Sequence, residues 1–180
     1  MSTQGNRTAY RVCVVCTGNI CRSPMAAIVL RSLLDAAGLG GRVEVDSAGT
    51  GDWHVGGGAD QRTVAVLRGG GYDGSAHRAR QFSHTWFADR DLVLAADRSH
   101  LRALRRLAPT PADAEKVRLL REFDPDAVAA GTLDVDDPYY GGEAEFDRCL
   151  REVEAACRGL VDHLRDSLPA LLSAGSPGRR

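Results

Sequence analysis

An apolar run over Val12, Val14 and Val15 breaks off at Cys16, and within eight residues the chain has passed through Thr17-Gly18-Asn19 and reached Ser23-Pro24. A strand that stops abruptly in a glycine-containing turn and is followed at once by helix-starting residues defines a strand-loop-helix unit. Ser23 reads as the helix N-cap and Pro24 as the first helical position. Ala26, Val29, Leu30, Leu33, Leu34 and Ala37 then recur at helical spacing, and Gly38 ends the stripe. The alternation repeats. Val43 to Val45, Leu92 to Ala95 and Val117 to Leu120 read as further strands. Helices are expected over Asp60 to Arg68, closed by Gly69-Gly70-Gly71, over Ser99 to Leu107, stopped before Pro109, and over Glu143 to Leu168. In the last of these, Phe146, Leu150, Val153, Cys157, Leu160, Val161 and Leu164 form the buried side. Strands separated by helices imply an α/β fold, here a single domain with a four-stranded parallel sheet and helices on both faces. The domain is expected to span residues 10–170, with flexible termini at 1–9 and 171–180.

At 180 residues the chain is long enough to bury one substantial core. Its formal net charge of -1 projects no field toward nucleic acid or a membrane surface, although a local phosphate pocket needs very few cations. Lys116 is the sole lysine, so the abundance of arginine reads as a compositional bias as readily as a binding signal. No apolar stretch reaches the length of a membrane span, and the start MSTQGNRTAY lacks the apolar core of a signal peptide. A cytoplasmic location is therefore expected, with a signal-independent export route left open. Five cysteines, clustered at Cys13, Cys16 and Cys21 and again at Cys149 and Cys157, do not read as a disulfide framework.

The chemistry concentrates in Cys16-Thr17-Gly18-Asn19-Ile20-Cys21-Arg22-Ser23. In a parallel sheet, ligands bind beyond the carboxyl ends of the strands, where this loop must lie. Its amides can form an anion nest, and the following helix aims its positive end at the same point. Gly18 is expected to supply a backbone conformation closed to other residues. A thiol in such a field gives up its proton readily, which makes Cys16 a nucleophile. Arg22 offers a planar fork able to hold two phosphate oxygens. Ser23 can hydrogen-bond the sulfur, and Asn19 can pin the loop through its own backbone. A core cysteine beside an incidental turn would require the glycine turn, the arginine and the capped helix to coincide by chance.

The run CTGNICRSPMA, with its C-x5-R-S spacing after a strand, resembles the signature of the low-molecular-weight protein tyrosine phosphatases. Asp46-Ser47-Ala48-Gly49-Thr50, Trp53-His54, the region of His77, Asp97 and Asp137-Pro138-Tyr139-Tyr140 match that family in order, most closely its actinobacterial members. The resemblance implies hydrolysis of protein phosphotyrosine through a phosphocysteine. Cys16 attacks phosphorus, Arg22 binds the equatorial oxygens, and Asp137 protonates the departing phenolate and then activates water. Residues 17–21 and Ser23 hold the phosphate, Trp53, Tyr139 and Tyr140 wall the substrate ring, and Ser47, His77 and Asp97 support the loop. Without the resemblance, Asp137-Pro138 would read as a turn. No cofactor and no metal are implied. The implied partners are phosphotyrosine proteins, with inorganic phosphate or a similar oxyanion as inhibitor, and a cognate tyrosine kinase acting on Tyr139 or Tyr140 is an open candidate.

Two departures stand out. Ala27 occupies a position that is usually Glu, read as a lost helix-dipole partner in the first turn. Ala95-Ala96 precedes Asp97 where bulkier residues are usual. Ile20 favours phosphotyrosine, because relatives acting on phosphoarginine carry Thr there. His54 and His84 are expected on the surface without a role. A thiol-disulfide enzyme is the main rival reading. An extended run, however, sends Cys13 and Cys16 to opposite faces about 10 Å apart, too far to bridge. The arsenate reductases of this fold need two mobile cysteines, whereas Cys149 and Cys157 sit on a helix and read as core. A module that binds phosphotyrosine without turning it over would have no use for an intact nucleophile and acid. Cys21, in the same loop as Cys16, is expected to resolve an oxidised Cys16 as a disulfide.

Overall fold

The structure, a computed structural model, describes residues 9–174; the expectation of flexible ends falls chiefly on residues outside that range. In chain order it contains β1 (Tyr10–Cys16), α1 (Arg22–Ala36), β2 (Val43–Gly49), α2 (Gln61–Gly69), a 3-10 turn at His84–Asp89, β3 (Leu92–Ala95) and α3 (Arg98–Leu107). There follow α4 (Pro111–Glu115), β4 (Val117–Leu119), a second 3-10 turn at Leu120–Phe123, α5 (Pro125–Ala130) and α6 (Glu143–Ala174). The four strands form one parallel sheet in the order β2-β1-β3-β4. The central strand β1 pairs with β2 from Tyr10↔Val43 to Cys16↔Gly49 and with β3 from Val12↔Leu92 to Val15↔Ala95.

Side-chain alternation along β1 builds two cores. Val12 and Val14 enter a cluster with Met25, Leu30 and Leu34 of α1, Leu67 of α2 and the apolar face of α6. Cys13 and Val15 point the other way, into a cluster with Phe82, Phe87, Val93, Leu104 of α3 and Val117. The α6 stripe read from the sequence is buried throughout, and it continues through a fully buried Leu168. At roughly 1.5–3 kcal/mol for each large apolar side chain removed from water, this face is what holds the helix against α1 and the 3-10 turn at residues 120–123. Cys149 and Cys157 are buried on it, as expected of core residues.

Several boundaries differ from the sequence reading. The fourth strand ends at Leu119, because residues 120–123 turn into a 3-10 segment, and α6 runs past Leu168 to Ala174. Ser23 is not the N-cap of α1. The cap position is Cys21, which makes no side-chain capping bond, and Ser23 lies inside the first turn with its hydroxyl directed into the loop. Ala27 is the sixth residue of α1 and buried, so it lies beyond the first-turn positions where a carboxylate would answer the helix dipole. The caps of α2 and α3 follow rule: Asp60 accepts from the Arg62 amide, and Asp97 accepts from the amides of Ser99 and His100.

Candidate active site

The loop after β1 turns under the N-terminus of α1 and lines a cleft of about 230 Å3. Cys16, Thr17, Gly18, Ile20, Cys21 and Arg22 form its floor, and Trp53, His54, Asp137, Tyr139 and Tyr140 form its rim. All three residues that the resemblance marks as catalytic therefore meet in one cleft, although Asp137 lies 121 residues after Cys16.

Cys16 is buried at the end of β1, its Sγ 2.9 Å from Ser23 Oγ. That hydroxyl also accepts from Asn19 Nδ2 at 2.8 Å and lies 3.2 Å from the Ala48 carbonyl. With Asn19 occupying a lone pair, the single Ser23 proton is left to donate to sulfur or to Ala48. Asn19 is wholly buried and fully satisfied. Its amide nitrogen donates to Ser23 and, at 2.9 Å, to Ser47 Oγ; its Oδ1 accepts from the Arg80 amide at 2.9 Å. The Asn19 main-chain carbonyl lies 2.7 Å from His77 Nε2, and since a carbonyl can only accept, that imidazole nitrogen carries the proton. Burial, reinforced by Arg31, Arg80 and Arg78, holds the His77 pKa below its ordinary value and keeps the ring neutral.

The backbone strain of the loop sits at Asn19, which has φ 56, and not at Gly18 as the sequence suggested. Asparagine tolerates the left-handed region, and here its side chain is held on three sides. Gly18 leaves room for a neighbour: a Cβ there would come within 2.9 Å of the His54 ring and push that side chain aside. His54 is exposed, as expected, and it lines the cleft. Gly49 matters in the same way. A Cβ there would sit 2.6 Å from the Thr17 carbonyl oxygen. The amides of residues 18 to 21 donate to no other described residue, which leaves them available to an anion.

Arg22 is 4% exposed and anchored from behind. Its Nη1 donates to Asp97 Oδ2 at 2.7 Å and to the Val135 carbonyl at 3.0 Å, while Nη2 lies 3.5 Å from Asp137 Oδ2. Burial opposes ionisation of Asp97, but contacts from His100, Ser99 and Arg22 overcome it and hold the carboxyl well below the usual range. His100, absent from the sequence reading, is buried between the two parts of the site. Its Nε2 lies 2.7 Å from Thr17 Oγ1 and its Nδ1 3.1 Å from Asp97 Oδ1. Its place three residues after the Asp97 cap is a local signal, but the partner Thr17 is supplied only by the fold.

Asp137 keeps its side chain 45% exposed at the cleft mouth, with Oδ1 accepting from the Tyr139 amide at 3.2 Å. Trp53 is 71% exposed, and Tyr139 and Tyr140 meet edge-on with centroids 5.0 Å apart. Arg62, also unforeseen, ties this rim down. It pairs with Asp60 and donates to the carbonyls of Tyr139 and Gly141 at 2.9 and 3.2 Å, while the Asp60 amide donates to the Ile20 carbonyl. Ser47 and His77 hydrogen-bond Asn19 of the loop directly, and Asp97 bonds Arg22. Cys13 faces away from Cys16, and His84 is exposed with no place in the cleft.

Known proteins resemble this chain in sequence and in fold. The family described as low molecular weight phosphotyrosine protein phosphatase matches residues 11–170. A low molecular weight protein-tyrosine-phosphatase of Streptomyces coelicolor is 63% identical over 88% of this chain and 96% of its own. The low molecular weight protein-tyrosine phosphatase A of Mycobacterium tuberculosis is 48% identical over 87% of this chain and 93% of its own. The crystal structure of a protein tyrosine phosphatase from Entamoeba histolytica with Hepes in its active site superposes with a TM-score of 0.83 at 31% identity. It covers 89% of this chain and 99% of that one.

Proposed function

Because this chain belongs to the low molecular weight phosphotyrosine protein phosphatase family and is a cysteine-dependent protein-tyrosine phosphatase, we propose that Cys16 is its nucleophile, Arg22 its phosphate clamp and Asp137 its general acid. The observation that carries this assignment is the convergence of the three on one cleft around a loop of free amides. The Cys16 thiolate attacks phosphorus while Ser23 Oγ–H donates to the sulfur. Arg22, held rigid by Asp97 and the Val135 carbonyl, presents its remaining donors to the equatorial oxygens as charge develops on them. Asp137 at the mouth gives its proton to the phenolate oxygen. The resulting phosphocysteine is hydrolysed by water that the Asp137 carboxylate deprotonates, with the Cys16 thiolate leaving.

The aromatic rim supports an aryl phosphate, since Trp53, Tyr139 and Tyr140 line the same cleft as Cys16. Ile20 on that floor supports phosphotyrosine over phosphoarginine. Inorganic phosphate is expected to compete for the same amides. A tyrosine kinase would find Tyr140 92% exposed. No helix among the described residues is long and apolar enough to cross a membrane, and a cytoplasmic location fits five cysteines that are all free.

The experiment is Cys16→Ser, assayed on phosphotyrosine and phosphoarginine peptides beside the wild type. The wild type should prefer phosphotyrosine, and the variant, folded by circular dichroism, should lose turnover of both. Comparable activity in a pure Cys16→Ser preparation would remove Cys16 from the mechanism, and a preference for phosphoarginine would overturn the substrate assignment.

A further inference from the structure

The segment that carries Asp137 is tied down by a buried charge cluster. The Val135 amide donates to the Ala96 carbonyl, which fixes the segment to the end of β3. The Asp134 carbonyl accepts from Arg121 Nη1 at 3.0 Å, and the same nitrogen lies 3.5 Å from Glu152 Oε1 on α6. Arg121 Nη2 lies 3.5 Å from Asp124 Oδ2 at the start of α5. The Arg121 and Glu152 side chains are only 11% and 17% exposed. The second Glu152 carboxylate oxygen, Oε2, is buried without a hydrogen-bond partner among the described residues. Stability alone is a poor reason to keep such a group, because a half-satisfied buried carboxylate costs more than an apolar side chain would. Through Arg121 it holds the Asp134 carbonyl, on the N-terminal side of the general acid.

We propose that Glu152, acting with Arg121, is a positioning residue for proton transfer by Asp137: the pair holds the backbone at Asp134 so that the Asp137 carboxyl stays over the leaving-group oxygen. The proposal rests on Asp137 as the general acid. Half-exposed, and held by one amide and one long guanidinium contact, Asp137 has few restraints of its own. Its placement is inherited from the backbone before it. The charged and titratable groups facing Glu152 are Arg121 from the 3-10 turn, Asp136 from the segment, and Arg148 and Cys149 from its own helix.

The readout is the dependence of kcat/KM on leaving-group pKa across a series of aryl phosphates, measured for wild type, Asp137→Asn, Glu152→Gln and the double variant. A leaving group that departs as a good anion needs little protonation, whereas a tyrosine-like phenol needs it fully. Asp137→Asn should steepen the dependence; if it does not, the acid assignment fails before Glu152 is considered. Glu152→Gln is isosteric. It should lower kcat/KM about tenfold for the poorest leaving groups and less than about twofold for the best, within the range general acid catalysis commands. In the Asp137→Asn background it should add nothing. A uniform loss across the series, an unchanged slope, or full additivity in the double variant overturns the proposal. Should Glu152→Gln fail to fold, Glu152→Asp, which keeps the charge but draws it back by one methylene, carries the same slope test.

Discussion

Single residues in this protein act through what they accept and exclude. Asn19 spends every polar atom of its side chain on the loop, and Gly49 earns its place by having no Cβ to strike the Thr17 carbonyl. Cys16 and Cys21 line the same cleft, and burial pushes the Cys21 thiol up to about 12, so it stays protonated while Cys16 works. Dilute peroxide should convert the Cys16 thiolate to a sulfenic acid as sulfur attacks one peroxide oxygen and hydroxide leaves. Cys21 then displaces water to close a disulfide, which thiols reverse. Mass spectrometry should find that link, with phosphate protecting and activity returning on reduction. Cys21→Ser should lose activity irreversibly. Recovery of that variant to the wild-type level would exclude Cys21 as the resolving residue. The CTGNICRS run could be read directly because its residue types match one task. The roles of His100, Arg62 and His54 could not, since each depends on a partner far away in sequence.

Elements were legible where periodicity or a cap is strong, and not where tertiary contacts redirect a side chain. The α6 stripe and the caps Asp60 and Asp97 follow from local rules. Ser23 looked like a cap and is instead a partner of Cys16, because the loop offers its hydroxyl better bonds than the helix end does. The short helices α4 and α5 and the two 3-10 turns carry too few periods to be seen. Gly159 shows the same limit in the other direction. Mid-helix it reads as a weakness, yet a Cβ there would collide with the Phe123 carbonyl, so it is what lets α6 lie against the 3-10 turn. Gly159→Ala gains helix propensity of about 1 kcal/mol but must displace backbone, an overpacking cost of about 1–3 kcal/mol. A net loss of stability is expected, read as a lower denaturant midpoint, and a higher midpoint would show that the contact is not tight.

At the scale of the whole molecule, the buried network around the loop couples stability to pH. His77 has a folded pKa below its ordinary 6.5, so the stability it contributes is present above about pH 6.5 and is lost as pH falls toward the folded value. Asp97 acts in the same direction only at much lower pH, below its ordinary 3.8, because its folded pKa is also depressed. Glu152 has a raised pKa and so opposes both. Comparing wild type with His77→Gln isolates the first effect. Between pH 7 and 5 the wild type should lose stability relative to the variant in urea titrations; parallel curves would show that His77 is not buried neutral. The order of strands and helices, the two-faced core and the identity of the phosphate loop were determined by the sequence itself, since each rests on periodicity or on residues adjacent along the chain. The meeting of Asp137 with Cys16, the anchoring of Arg22 by Asp97 and Val135, and the clamp of Arg121 and Glu152 were decided only by the tertiary structure. Those contacts span 75 to 121 residues or join surfaces of different helices, and no local pattern specifies them; packing α6 and the segment before it against the sheet is what brings the charges together.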